Sequence, residues 1–478
     1  MDRHTISTLP IELLIEITEL VNEKFALSAT CKAFYEIVAK CDLLKYKIIV
    51  NNEDTLLEAT TFYSILNSRR ELDTIEINLS TTVGELFWER LGQIVESRDF
   101  AVFRLRNDDV RQKTIDSIAQ TLLKVPEESL DELQLIGINL GVLQNFIPRQ
   151  TSIKKLSITI TGTIAERSSE LIACLDLTSL TLKIPDATNL SAIIESQPNL
   201  KSLKIEFSKQ QTSCPTELVQ QICSRIHLEE LDIPFPKNYE EFADLKLLKK
   251  LKKWTVAFCP PISTIPLPSL EELNLTIDEY TTNDDIRELS INIPNLKSVT
   301  VQGVLAINCL VEFATFHNLE SLSVDNITAG YCLVVKLRGF LEVKQKLKHL
   351  RIINRDPKVV LCSNDLIRFL KNFPNLQTLF ISAMNETSAE NLKNILTSFP
   401  ALRELAIDLN LHHIAIVIDK IRQFGHHLNF IKLINFRSFC DESELKAILR
   451  ESFAIVEKSD GNLILRKHGR FRLQAPVK

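Results

Sequence analysis

From Leu72 to Glu457 the apolar positions of this chain alternate between two periods. A phrase of the form L-x-x-L-x-L, apolar at its first, fourth and sixth places, begins at Leu72, Phe100, Leu130, Ile153, Leu177, Leu200, Leu228, Leu251, Leu270, Leu296, Leu319, Leu347, Leu376, Leu402, Leu428 and Phe453. The fourth and sixth places lie two residues apart, so in a strand they share one face. Between phrases the period lengthens to about 3.6, as in Ile115, Ile118 and Leu122, or Leu392, Ile395 and Phe399, which is the spacing of a helix with one buried side. One copy of the phrase means little because leucine is common. Sixteen copies in order, 19 to 30 residues apart, predict a repeating strand and return segment.

Punctuation supports the same reading. Gln197-Pro198-Asn199, Ile293-Pro294-Asn295, Phe373-Pro374-Asn375 and Phe399-Pro400-Ala401 each stand just before a phrase. Proline there ends a helix and disfavours α geometry in the residue before it, turning the chain back toward the next strand. The expected fold class is α/β: a leucine-rich-repeat solenoid with a parallel concave sheet and outer helices, about 16 repeats between residues 72 and 465. Its ninth place, where such repeats often carry Asn or Cys, varies from Asp108 to Pro185 to Asn410, so the repeats are irregular in detail.

The first 46 residues follow another pattern. Pro10 suits the first turn of a helix, and Glu12 the positive end of its dipole. Leu13, Leu14, Ile17 and Leu20 make an apolar stripe at helical spacing, and shorter stripes follow at Phe25 to Ala29 and at Phe34, Ile37 and Val38. Three short amphipathic helices bury little by themselves, which leaves apolar surface for a partner or for the end of the solenoid they would cap. Residues 47–71, with Leu56, Leu57, Phe62, Ile65 and Leu66, read as a connecting helical segment, and residues 466–478 as a basic tail.

The series Leu9-Pro10-x-Glu12-Leu13-Leu14-x-x-Ile17, followed by Leu27-Ser28-x-x-Cys31-Lys32-x-Phe34, resembles an F-box, and the whole chain is similar to F-box/leucine-rich-repeat proteins. In that family the F-box binds a Skp-type adaptor and through it a cullin and a RING protein, forming an SCF ubiquitin ligase. The resemblance implies a substrate-recognition subunit whose adaptor-binding residues include Leu9, Pro10, Leu13, Ile17, Leu20 and Leu27. The other reading is a leucine-rich-repeat scaffold with no ubiquitin role.

Composition narrows the chemistry. A net charge of -5 gives no general attraction to nucleic acid. Ten cysteines without a C-x-x-C pair suggest reduced thiols in an intracellular, cytoplasmic or nuclear setting, and the polar N-terminus does not resemble a signal peptide. No run approaches the ~20 apolar residues of a membrane span. Phosphate loops, G-x-S-x-G elbows and the second histidine of a zinc-protease helix are all missing, so no catalytic residue, metal or cofactor is expected. The pairs His412-His413 and His426-His427 read as solvated helix ends.

Binding is therefore the expected task. The third, fifth and seventh places of each phrase should face the uncovered side of the sheet. Near the C-terminus they change from small and polar to His349, Arg351 and Ile353, then Phe380, then Phe430, Lys432 and Ile434, a mixture suited to docking a protein substrate. A lysine run, Lys246, Lys249, Lys250, Lys252 and Lys253 before Trp254, reads as a solvated edge or as a contact for an acidic peptide or nucleic acid.

Overall fold

The computed structural model describes residues 46–467 apart from stretches between elements, the longest being 329–345, 354–369 and 437–452. The expected F-box lies outside the described residues. The chain divides into two units, Met1–Arg225 and Ile226–Lys478.

In the first unit, seven strands pair in sequence order, all parallel: β1 (Tyr46–Val50), β2 (Leu72–Leu79), β3 (Val102–Asn107), β4 (Glu132–Ile136), β5 (Lys155–Thr159), β6 (Ser179–Ile184) and β7 (Ser202–Phe207). The register aligns like places of the phrase. Phe103, Leu133, Leu156, Leu180 and Leu203 form one buried stack at the fourth place, and Leu105, Leu135, Ile158, Leu182 and Ile205 another at the sixth. Apolar stacks of this kind explain why a one-residue slip is not tolerated, since it would turn each stack out to water. Among the described residues the sheet begins with β1, one strand before the first phrase at Leu72, and β1 is followed by a helix, α1 (Ala59–Leu66).

Nine parallel strands make the sheet of the second unit: β8 (Glu230–Ile233), β9 (Lys253–Val256), β10 (Glu272–Ile277), β11 (Ser298–Gly303), β13 (Ser321–Val324), β15 (His349–Ile353), β16 (Thr378–Met384), β17 (Glu404–Leu409) and β18 (Phe430–Phe436). The two-residue strands β12 (Leu305–Ala306) and β14 (Ile327–Thr328) pair separately. Trp254 takes the fourth place of its phrase and is fully buried between Leu231 and Leu273. Gly303, at φ +93, ends β11 against β10; a Cβ there would stand 2.1 Å from the Ile277 carbonyl oxygen, so only glycine fits.

The phrase at Phe453 is not a repeat. Its strand, β19 (Phe453–Ser459), pairs antiparallel with β20 (Gly461–Lys467), and β20 pairs antiparallel with β18. The hairpin covers an edge that the parallel series would leave exposed. β20 opens on Gly461, two residues after β19 ends at Ser459. Arg466 and Lys467, read from the sequence as tail, belong to that strand.

Phrase spacing sets the return segment. A 28- or 30-residue interval carries the long helices α2 (Glu85–Ser97) and α3 (Gln112–Leu123), and 23- or 24-residue intervals carry shorter ones, α4 (Glu166–Ala173) and α5 (Leu190–Glu195). Beyond these come α6 (Thr216–Cys223), α7 (Asn283–Asn292) and α8 (Ala389–Ser398). In other 23-residue intervals the described residues include a 3-10 turn, Ile147–Arg149 or Phe313–Thr315, so the return segments differ in kind as well as in length. Each helix buries one face; α2 does so with Phe87, Trp88, Leu91, Ile94 and Val95. Among the described cysteines, Cys214 and Cys223 are buried and Cys174 is exposed; burial pushes the Cys214 thiol up to about 12, which suppresses thiolate chemistry there. No described helix is long and apolar enough to cross a membrane.

Candidate functional site

The uncovered face of the second sheet gathers most of the residues singled out near the C-terminus. Register places Ser321, His349, Thr378, Glu404 and Phe430 in one cross-strand row, and Ser323, Arg351, Phe380, Ala406 and Lys432 in the next. Ile353 lies opposite Ser382, and Ile434 opposite Asp408. From β15 to β18 is three sheet steps, about 14 Å.

Physical contacts follow from that register. The Arg351 guanidinium sits 5.0 Å from the centre of the Phe380 ring, a cation–π pair that holds a flat aromatic surface beside a positive charge. His349 Nδ1 lies 3.1 Å from Thr378 Oγ1, and Thr378 in turn donates to Glu404 at 3.5 Å. Ala406, 9% exposed, separates half-buried Phe380 from half-buried Lys432; its small side chain leaves a dip between two larger ones. Arg351 is exposed, and Phe430 is half-buried at the end of the other row.

The first unit's uncovered face is different in kind. Arg104 donates from Nε and Nη2 to Glu132 at 2.8 and 2.6 Å and lies 3.7 Å from Glu76, while Lys155 approaches the same Glu132 at 3.9 Å. Lys183 and Lys204 both reach Glu206, whose carboxyl is held below its ordinary range chiefly by the Lys204 hydrogen bond. Charge there meets charge within the protein, and little is left to offer a partner.

The structure divides the lysine run among three places. Trp254 is in the core, Lys253 lies on the uncovered face 3.4 Å from Glu272, and Lys249, Lys250 and Lys252 stand on the rim where the strands begin. That rim carries a feature the sequence reading missed. The second place of six successive phrases reads Glu229, Lys252, Glu271, Lys297, Glu320, Lys348, and neighbours pair at 2.7 Å (Lys252–Glu229), 2.8 Å (Lys297–Glu271) and 2.8 Å (Lys348–Glu320). Lys348 holds the Glu320 carboxyl below its usual range, and Glu229 raises Lys252. The signal was present in the phrase as a strict alternation of sign at one place. Beside this ladder runs a groove of about 590 Å³, lined from Glu229 to Lys346.

The six residues expected to bind an adaptor, Leu9, Pro10, Leu13, Ile17, Leu20 and Leu27, lie outside the described residues. No protein-family model and no curated protein matches the chain. Among solved structures it is similar to an internalin from Listeria monocytogenes, at 14% identity over 86% of this chain and 97% of that one, with a TM-score of 0.33. It is similar also to a leucine-rich-repeat protein from Leptospira interrogans, at 18% identity over 76% of this chain and 100% of that one, TM-score 0.35. A third likeness is to the yeast Rad7 and Elc1 complex, at 15% identity over 84% of this chain and 87% of that one, TM-score 0.41. The leucine-rich-repeat architecture itself rests on the strand register and the buried stacks described above.

Proposed function

We propose that this chain is a non-catalytic recognition protein: the uncovered face around Phe380 and Phe430 docks a protein substrate, and the F-box-like N-terminus joins a Skp-type adaptor in an SCF-type ubiquitin ligase. The observation that carries the docking half is the contrast between the two sheets. On the first, Glu76, Arg104 and Glu132 neutralise one another; on the second, Arg351 stands over the Phe380 ring, Lys432 shares a strand face with Phe430, and no carboxylate within salt-bridge distance of either is found among the described residues. The ligase half is supported by the motif Leu9-Pro10-x-Glu12-Leu13 and its second part near Cys31.

Two separate assays test the two halves. The intact chain is expected to co-purify with a Skp-type adaptor, and Leu9→Ala with Pro10→Ala to lose it; an intact chain that binds no adaptor favours the scaffold without ubiquitin role. The double variant Phe380→Ala with Phe430→Ala is expected to lose its proximity-labelled substrates while still holding the adaptor. Retention of every specific partner by that variant overturns the docking face.

A further inference from the structure

We propose that the rim groove of the second unit is a separate site for an extended acidic peptide, one that carries carboxylates at its two ends and neutral polar residues between them. The ladder glutamates lining the groove make their salt bridges to ladder lysines, which leaves the groove's other ammonium groups without one, although Lys346 acts on Glu320 at longer range. These other groups are Lys249, Lys250 and Lys346, and among the described residues none of the three has a carboxylate within salt-bridge distance. Lys250 Nζ lies 3.1 Å from His227 Nδ1, and Lys346 Nζ donates to Asn318 Oδ1 at 2.9 Å. Neither contact is to a carboxylate, so each orients an ammonium without cancelling its charge.

Sheet geometry gives the length of the occupant. Lys249 and Lys250 precede β9 and Lys346 precedes β15, with β10, β11 and β13 between them. Four sheet steps are about 19 Å, the span of about six extended residues. The middle of the groove excludes a continuous polyanion, because Glu271 and Glu320 line it. A nucleic acid strand presents a phosphate at about every 3.4 Å of duplex and would meet both carboxylates. No described residue lining the groove is aromatic, and Trp254, close in sequence to Lys249 and Lys250, is fully buried, so base stacking finds no platform among them. The charge pattern thus fits a peptide charged at its ends and not a nucleic acid.

The test is fluorescence anisotropy with the full chain and a labelled peptide of about eight residues, two glutamates at each end and serine and glycine between. Binding is expected, weakening as sodium chloride screens it. Lys249→Glu with Lys250→Glu, and separately Lys346→Glu, should each lower affinity about tenfold. The corresponding Lys→Gln variants should lose less, and unchanged circular dichroism separates lost binding from lost folding. A peptide of the same composition with its glutamates in the centre should bind more weakly. The Phe380→Ala with Phe430→Ala variant should bind the peptide normally, which keeps this site distinct from the docking face. The proposal is overturned by no binding, by affinity indifferent to the lysines or to where the glutamates lie, by loss of binding in the Phe380/Phe430 variant, or by a single-stranded oligonucleotide that binds as tightly and competes.

Discussion

Neighbouring repeats are tied together by different chemistry in the two units. In the first unit the ties include buried amides. Gln197, fully buried, accepts the amide of Leu177 on Oε1 at 2.9 Å and donates from Nε2 to the carbonyl of Ile172 at 3.1 Å. Gln150 does the same one repeat pair earlier, taking the amides of Ser129 and Leu130 and giving to the carbonyl of Pro126. Arg149 and Arg225 donate to the carbonyls of Leu123 and Ile194, near the C-terminal ends of α3 and α5. In six phrases of the second unit the residue three places before the phrase is apolar instead, namely Leu248, Leu267, Ile293, Phe316, Phe373 and Phe399, and its carbonyl accepts the amide of the phrase's own first residue. Charge moves out to the exposed rim ladder; among its described pairs, Arg287 with nearly buried Glu312 is the exception that goes inward.

The difference separates stability from recognition. A buried amide that satisfies two backbone groups is costly to lose, because those groups are left without water or partner. Gln197→Ala should therefore have the largest effect, about 2–3 kcal/mol in chemical denaturation. Hydrogen exchange gives the local reading: the Leu177 amide should lose protection in that variant well before amides of the second unit, since repeats contact chiefly their neighbours. Equal loss of protection in both units would mean the amide is not a local tie. Arg104→Ala comes next. It removes a third-exposed guanidinium from between two mostly buried carboxylates, and a loss of about 1 kcal/mol is expected, smaller than for a buried pair and larger than for a surface one.

Much of this fold was legible in the sequence because its cause is periodic. The first, fourth and sixth places recur with the strand period, so Leu203 and Ile205 were assigned to the core, and Lys204 to the uncovered face, from spacing alone. The C-terminal row of Arg351, Phe380 and Lys432 was legible for the same reason. Phe453 misled because its phrase has the same local pattern, whereas antiparallel pairing with β20 is decided by a tertiary choice between edges. Strand β1 was hidden by its isolation: Tyr46–Val50 lacks a leading phrase and gains its place only by pairing with β2. The buried role of Gln197 was invisible too, for a glutamine before Pro198 and Asn199 looks like turn material until the neighbouring repeat supplies the groups it satisfies.

The rim ladder should give the smallest effect on stability, and it bears most directly on the contrast. Lys297 is 53% exposed and Glu271 44%, so their 2.8 Å pair interacts in high dielectric and costs side-chain entropy to hold. Lys297→Gln should change the denaturation midpoint by no more than about 0.5 kcal/mol. Acid should not reveal a hidden contribution above the carboxylate range. The Glu320 carboxyl is depressed by Lys348, so whatever stability that pair adds is present above the unfolded carboxylate value and lost only as pH falls through the lower folded one. Between neutral pH and the ordinary carboxylate range, wild type and Lys348→Gln should therefore keep a constant difference in stability. Anisotropy is expected to respond more strongly with the centre-charged control peptide than with the end-charged one, because Lys297→Gln leaves Glu271 without its salt bridge in the middle of the groove, where only the control presents carboxylates. A variant that loses as much stability as Gln197→Ala would make the ladder a structural tie, and the two units would then differ only in where they keep their charge.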